Sequence, residues 1–154
     1  SRTHIRQYQR YMDEIQQVID QVNSNHGTDS WTPIVAYIEN NYTQAIAGMK
    51  LYDALLVNTI VEGMNLVAKE GPVVNGRDGV LVLSHSSGVH HQLADGALSV
   101  SPTDVEGTME ALHQAITMSP QDRKDRASLL INSVCREDVN HWITHQIEDI
   151  SRLL

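Results

Sequence analysis

The 154-residue sequence contains no phenylalanine and a single cysteine, Cys135. Without phenylalanine, the core has to be built mostly from aliphatic side chains. One cysteine excludes an internal disulfide framework. No stretch approaches the ~20 apolar residues of a membrane span. No charged segment followed by an apolar run opens the chain, so a cytoplasmic location is expected. Basic residues are scarce: 11 against 19 acidic ones, a formal charge of −8. Such a balance disfavours nucleic acid as a partner, because phosphate binding needs a basic face. Arg2, Arg6 and Arg10 share one helical stripe and are read as a solvated face. The sequence shows no internal repeat, low-complexity tract or obvious linker.

What is present is enough for one domain with a core. Hydrophobic residues make up 41% of the chain, a globular composition. Ile5, Tyr8, Met12, Ile15, Val18, Ile19 and Val22 recur at three- and four-residue steps and predict a long amphipathic helix ended by Gly27. Short apolar runs predict strands at 34–38, 54–58, 79–84 and 97–100. The run 54–58 reads as a doubly covered parallel strand. Between them lie expected helices: one capped by Thr43 and reaching about Tyr52, one after Gly63 that Pro72 ends or kinks, and a short one over 88–93. Asp104, Ser119-Pro120 and Asp138 open three more. Alternating strands and helices without hairpin signals predict an α/β fold with a parallel sheet.

Ligands of such sheets bind beyond the carboxyl ends of the strands. The stretch "VEGMNLVAKEGP" (61–72) follows strand 54–58 at such an end. Gly63 would let the backbone approach a ligand, and the first amides of the helix lack intrahelical acceptors and suit a phosphate. Glu70 could hold the two hydroxyls of a ribose, and Glu62 could accept from sugar hydroxyls. Lys69 is read as surface charge. On the residues alone, a purely structural turn is the commoner alternative, since strand, turn and helix with one glycine occur in most α/β folds. His85, His90 and His91 lie close in sequence, but no carboxylate or thiol pattern completes a ligand set, so no metal is expected. His90 and His91 are expected to be exposed. Ser84, Ser86 and Ser87 are not in a nucleophile-elbow frame. Cys135 is expected to be buried. The sequon at 41–43 carries no weight without secretory features.

The order of motifs is more specific than any one of them. "GTDSWTPI" (27–34), "YDALLVN" (52–58), "EGMNLVAKE" (62–70), "DGVLVLS" (78–84) and "DVEGTMEALHQAITMSP" (104–120) occur in sequence. Together they resemble the trehalose-6-phosphate synthase family of retaining glycosyltransferases. The resemblance implies two Rossmann-like domains facing across a cleft, of which residues 1–154 would be most of the donor-binding one. It implies an incomplete Rossmann-like α/β domain with C-terminal helices, lacking its first strands and the whole acceptor domain. The implied reaction moves glucose from a nucleotide-diphosphate sugar to a sugar or polyol phosphate, with retention and without a catalytic metal or cofactor.

By position, the resemblance gives Gly63, Met64, Asn65 and Leu66 backbone contacts to donor phosphate and sugar, and gives Glu70 the ribose. Glu62, the candidate catalytic residue, stands where the family holds the donor glucose with an aspartate. Asn40, Asn41 and Tyr42 resemble the rim around the base, which could be adenine, guanine or uracil. The chain departs from the family pattern at Glu62, at Asn58-Thr59, at "EGP" (70–72) and at "SHSSG" (84–88). These changes look more like the relatives that make glucosylglycerol phosphate or join cyclitol units. The diphosphate clamp of an arginine and a lysine, and the acceptor-side histidine, are expected outside this segment. The gap this leaves in the sheet predicts edges that pair with another copy, as in a strand-swapped dimer, or a rearranged N-terminal segment. Two readings stand beside transfer: a nucleotide-sugar-binding module without activity, and a structural role for the C-terminal helices.

Overall fold

The computed structural model describes residues 5–153. The chain divides into two compact units, 1–40 and 41–154.

The first unit is dominated by helix α1 (Arg6–His26), as the periodicity predicts. Gly27 ends it: its amide donates to Asn23 O, and a Cβ there would run into that same oxygen. Asn23 also receives the chain on its return, donating from Nδ2 to Ile34 O (2.9 Å) and accepting from Ile34 N (2.8 Å). None of the residues of α1 is buried, so its apolar stripe is not core among the described residues. Arg2, the first member of the arginine stripe, lies outside them. The predicted strand at 34–38 is not formed. Val35, Tyr37 and Ile38 are exposed and the run is irregular. A strand exists only with a ladder partner, and no described residue pairs with this run.

The second unit carries the sheet. Helix α2 (Tyr42–Leu51) leads into strand β1 (Ala54–Val57), helix α3 (Leu66–Val74) and strand β2 (Val80–Ser84). Helix α4 (His90–Leu93) and strand β3 (Leu98–Val100) follow, then helices α5 (Val105–Thr117), α6 (Pro120–Arg136) and α7 (Val139–Leu153). The three strands are parallel in the order β1-β2-β3. All five residues of the central strand β2 are buried. Val80 and Val82 face α5 with Leu98, Val100, Ala111 and Ala115. Leu81 and Leu83 point the other way, among Val57 of β1 and Ala68, Leu93 and Leu130 from the helices on the opposite face. A strand covered on both faces needs an apolar residue at every position, which is why "VLVLS" does not alternate with polar residues. The doubly covered strand is therefore 80–84; β1 is an edge strand, with Leu56 39% exposed.

Capping sets the helix starts. Asp104 Oδ1 accepts from Gly107 N, Ser119 Oγ from Asp122 N and Asp138 Oδ1 from His141 N, all as predicted. For α2 the cap is Asn41, whose Oδ1 accepts from Gln44 N at 3.1 Å, rather than Thr43. Both residue types can cap, and the helix begins two residues earlier than expected. Pro72 sits within α3, which ends two residues later at Val74.

At the end of the sheet where β1 and β2 begin, Asn75 joins the elements. Its Nδ2 donates to Met49 O and Tyr52 O, and its Oδ1 accepts from Arg77 N and Gly79 N. Gly79 is glycine because the Tyr52 ring occupies the place of its Cβ. Arg123 and Arg77 both reach Asp53 Oδ1 from this end. These contacts fix the frame and leave the opposite end of the strands for the site.

Candidate functional site

Two loops leave the carboxyl ends of β1 and β2 side by side, 58–65 and 85–89. Hydrogen bonds stitch them together. Ser84 Oγ donates to Thr59 O at 2.7 Å, and Gly88 N donates to Glu62 O at 2.9 Å. Gly88 has to be glycine: its Cβ would coincide with the carbonyl of Gly63 and lie 3.4 Å from Glu62 O. The first loop is thus held against the second by backbone contact.

Gly63 is different. Its φ is not positive, and a Cβ on it would meet nothing within 4 Å. Neither backbone conformation nor packing demands a glycine there. The open space borders a cleft of about 480 Å³ lined by Gly63, Met64, Lys69, Gly88, His91 and Arg136, among others. A glycine beside a cleft that no neighbour requires is the arrangement a closely approaching ligand would use.

Asn65 caps α3. It is only 8% exposed, and its Oδ1 accepts from Ala68 N at 2.9 Å. Its Nδ2 donates to Glu62 Oε2 at 2.7 Å. Among the described residues, no hydrogen bond uses the amides of Gly63, Met64, Leu66 or Val67. These donors stand at the positive end of the helix dipole. Met64 is 62% exposed, and Ile60, Val61 and Leu66 are exposed with it, so the rim of this loop is apolar.

Glu70 lies in the second turn of α3. It lines a small apolar pocket of about 230 Å³ with Tyr42, Ile46, Lys69, Val73 and Val134. The structure thus places Glu70 beside Tyr42, two residues that sequence reading assigned to ribose and base. Gly63 and Met64 line the larger cleft instead, and Lys69 lines both. Lys69 is half-buried rather than simple surface charge. Asn41 is committed to capping α2 through its side chain, which removes that oxygen from the base rim. Asn40 ends the first unit, while Asn41 and Tyr42 open the second.

The histidines do not converge with a third ligand: no group of three or more His, Cys, Asp or Glu suited to a metal occurs among the described residues. His85 and His91 are exposed. His90 is half-buried rather than exposed, with Nε2 at 2.8 Å from Ser99 Oγ. Burial, and then the charges of His85 and His91, hold the His90 imidazole below its usual value of 6.5. Cys135, expected to be buried, is exposed on α6. The helical apolar pattern there is carried by Ala127 and Leu130, which turns the cysteine outward.

Sequence reading missed the second loop's part in the site, and it missed the Asn65 side chain. The signal for Gly88 was weak, since close backbone approach is a tertiary fact. The signal for Asn65 was available: an asparagine immediately before an apolar helix is a cap.

The chain matches the model of glycosyltransferase family 20 over residues 1–152. It is 33% identical to a trehalose-6-phosphate synthase of Sodalis glossinidius, over 99% of this chain and 33% of that protein. A solved E. coli structure, described as trehalose-6-phosphate bound with UDP-2-fluoro glucose, superposes with a TM-score of 0.90 at 30% identity, covering 100% of this chain and 35% of that one. An alpha,alpha-trehalose-phosphate synthase (UDP-forming) from Burkholderia xenovorans, in complex with glucose-6-phosphate, gives 0.88 at 28% identity, covering 98% and 34%. The chain spans a third or less of the length of the curated relatives it matches. With the family model matched over almost its whole length, the chain belongs to glycosyltransferase family 20.

Proposed function

We propose that residues 1–154 are the donor-binding part of a longer retaining glycosyltransferase. It would transfer glucose from a nucleotide-diphosphate sugar to a sugar phosphate. The observation that carries this reading is Gly63: a glycine required by neither φ nor packing, at the strand end, beside a cleft and unpaired amides. Relatives described with UDP-2-fluoro glucose and with glucose-6-phosphate support the two substrate classes.

In this reading the amides of Gly63, Met64 and Leu66 donate to the donor phosphate as it gains charge on leaving. Fixed donors aimed at developing charge are worth most where they need no reorganisation. Glu70 holds the ribose hydroxyls, with the base toward Tyr42. Glu62 accepts from the glucose hydroxyls and orients the sugar. The acceptor hydroxyl attacks from the face the phosphate leaves, and the phosphate takes its proton. No protein nucleophile is required. Further cations for the diphosphate and the acceptor-binding surface would come from outside this segment.

The test is titration calorimetry on the intact protein with ADP-, GDP- and UDP-glucose. Saturable binding of one of them is expected, weakened at least tenfold in Glu70→Ala, a loss of roughly 1.4 kcal/mol or more. The absence of heat with all three would overturn the reading.

A further inference from the structure

Glu62 is anchored more firmly than an exposed loop requires. Its carbonyl accepts from Gly88 N at 2.9 Å, and it forms an isolated parallel bridge with Ser87, which is 2% exposed. Its carboxylate accepts from Asn65 Nδ2 at 2.7 Å through Oε2. The residues on either side, Val61 and Gly63, are exposed. Asn65 in turn is nearly buried, and its other side-chain atom is fixed on Ala68 N. The asparagine amide can therefore neither flip nor swing without giving up the helix cap. Holding a flexible glutamate in one rotamer costs side-chain entropy. Asn65 needs only its oxygen to cap α3; the contact to Glu62 adds nothing to that cap.

We infer that Asn65 is a positioning residue: its side-chain amide, locked by the cap of α3, clamps one oxygen of Glu62 and leaves the other, Oε1, as the acceptor offered to the donor sugar. This deepens the donor-site reading above and rests on it. One oxygen spent on Asn65 makes the grip on the sugar monodentate. The clamp also fixes the reach of a carboxylate that carries one more methylene than an aspartate would. Preorganisation of this kind is expected where a group must meet a ligand in a single geometry.

The clamp has a reversible polarity, and this gives the test. Asn65→Asp keeps an acceptor for Ala68 N and removes the donor to Glu62. Glu62→Gln keeps an acceptor for Asn65. In the double variant the introduced amide can donate to the introduced carboxylate, restoring the bond in reverse. Asn65→Ser keeps a cap acceptor but is too short to reach Glu62. Each variant is made in the intact protein, and binding of ADP-, GDP- and UDP-glucose and of the matching nucleoside diphosphates is measured beside thermal unfolding.

Asn65→Ser is expected to weaken the bound sugar nucleotide about tenfold and to leave the nucleoside diphosphate within about twofold, whereas Asn65→Asp, which adds a negative charge beside the phosphate, weakens both and the sugar nucleotide more. The double variant is expected to unfold at the temperature of Glu62→Gln and to regain the preference for sugar nucleotide over nucleoside diphosphate that both single variants lose, because its amide nitrogen donates to residue 65 and its oxygen is left as the acceptor for the sugar. Equal weakening of both ligands by Asn65→Ser, or a double variant with no more preference for the sugar nucleotide than Asn65→Asp, overturns the positioning role and leaves Asn65 as a cap. If no sugar nucleotide binds the unaltered protein, the donor reading fails and this role fails with it, even where the unfolding temperatures show the coupling. The unfolding data thus separate the two failures.

Discussion

Two glycines at the site do opposite things, and a methyl group distinguishes them. At Gly88 a Cβ has no space, because the Gly63 carbonyl occupies it, and that contact is backbone that cannot swing aside. Gly88→Ala should therefore force the two loops apart, breaking the bond from Gly88 N to Glu62 O, and destabilise by about 2 kcal/mol or more. At Gly63 the same methyl enters open space at an ordinary φ. Gly63→Ala should leave stability within about 0.5 kcal/mol, while donor affinity falls because the methyl occupies the side from which a ligand would approach. Chemical denaturation of both variants, with calorimetry on Gly63→Ala, checks the pair. Equal stability losses would mean that Gly63 is a packing glycine after all. At this scale the sequence told much about which residues matter and little about why. "EGMN" marks the loop, yet only the fold shows that Gly63 faces space, that Gly88 faces backbone, and that Asn65 binds Glu62.

Among the elements, those whose signals are local were legible. Asp104, Ser119 and Asp138 cap the helices they were expected to cap, because an N-cap is decided within three residues. The runs 34–38 and 80–84 look alike as apolar sequence, but only the second finds ladder partners, one on each side, and forms a strand. Strand formation depends on distant chain, so a run of five residues cannot decide it alone. The connection from β2 through α4 to β3 holds a pH-sensitive contact. His90 on α4 reaches Ser99 on β3, while burial and the neighbouring His85 and His91 disfavour its charged form. A histidine whose folded value is depressed stabilises the fold fully above about pH 6.5. That contribution is lost as the pH falls through the lower folded value. Urea midpoints measured from pH 8 down to 5 should drop more steeply for the wild type than for His90→Gln, which can still bond Ser99. Parallel curves would mean that His90 is not responsible for any loss.

At the scale of the molecule, the apolar pattern predicts more burial than the described residues provide. On α1, Tyr8, Tyr11 and Val18 are exposed. Along α7, Val139, Trp142, Ile143, Ile147, Ile150 and Leu153 recur at three- and four-residue steps, and all are exposed. The helices were legible from that periodicity, but the surface that covers the stripe was not, since periodicity says which face is apolar and nothing about what meets it. β1 adds an open edge on the side away from β2. Stripes of this length rarely stay bare in water. Opposing association is the net charge of −8, a repulsion that salt screens. The 154-residue chain should therefore self-associate at roughly 100 μM, more strongly as sodium sulfate is added, because sulfate both screens charge and favours apolar burial. Paired lysines at Ile143 and Ile147, one turn apart on the stripe, should return it to monomer with little loss of stability, since neither side chain is buried. Sedimentation velocity across a concentration series reads this directly. A monomer at every concentration and salt level would show that the α7 stripe is tolerated in water, and persistence of the oligomer in the paired variant would assign the contact to α1 or to the edge of β1.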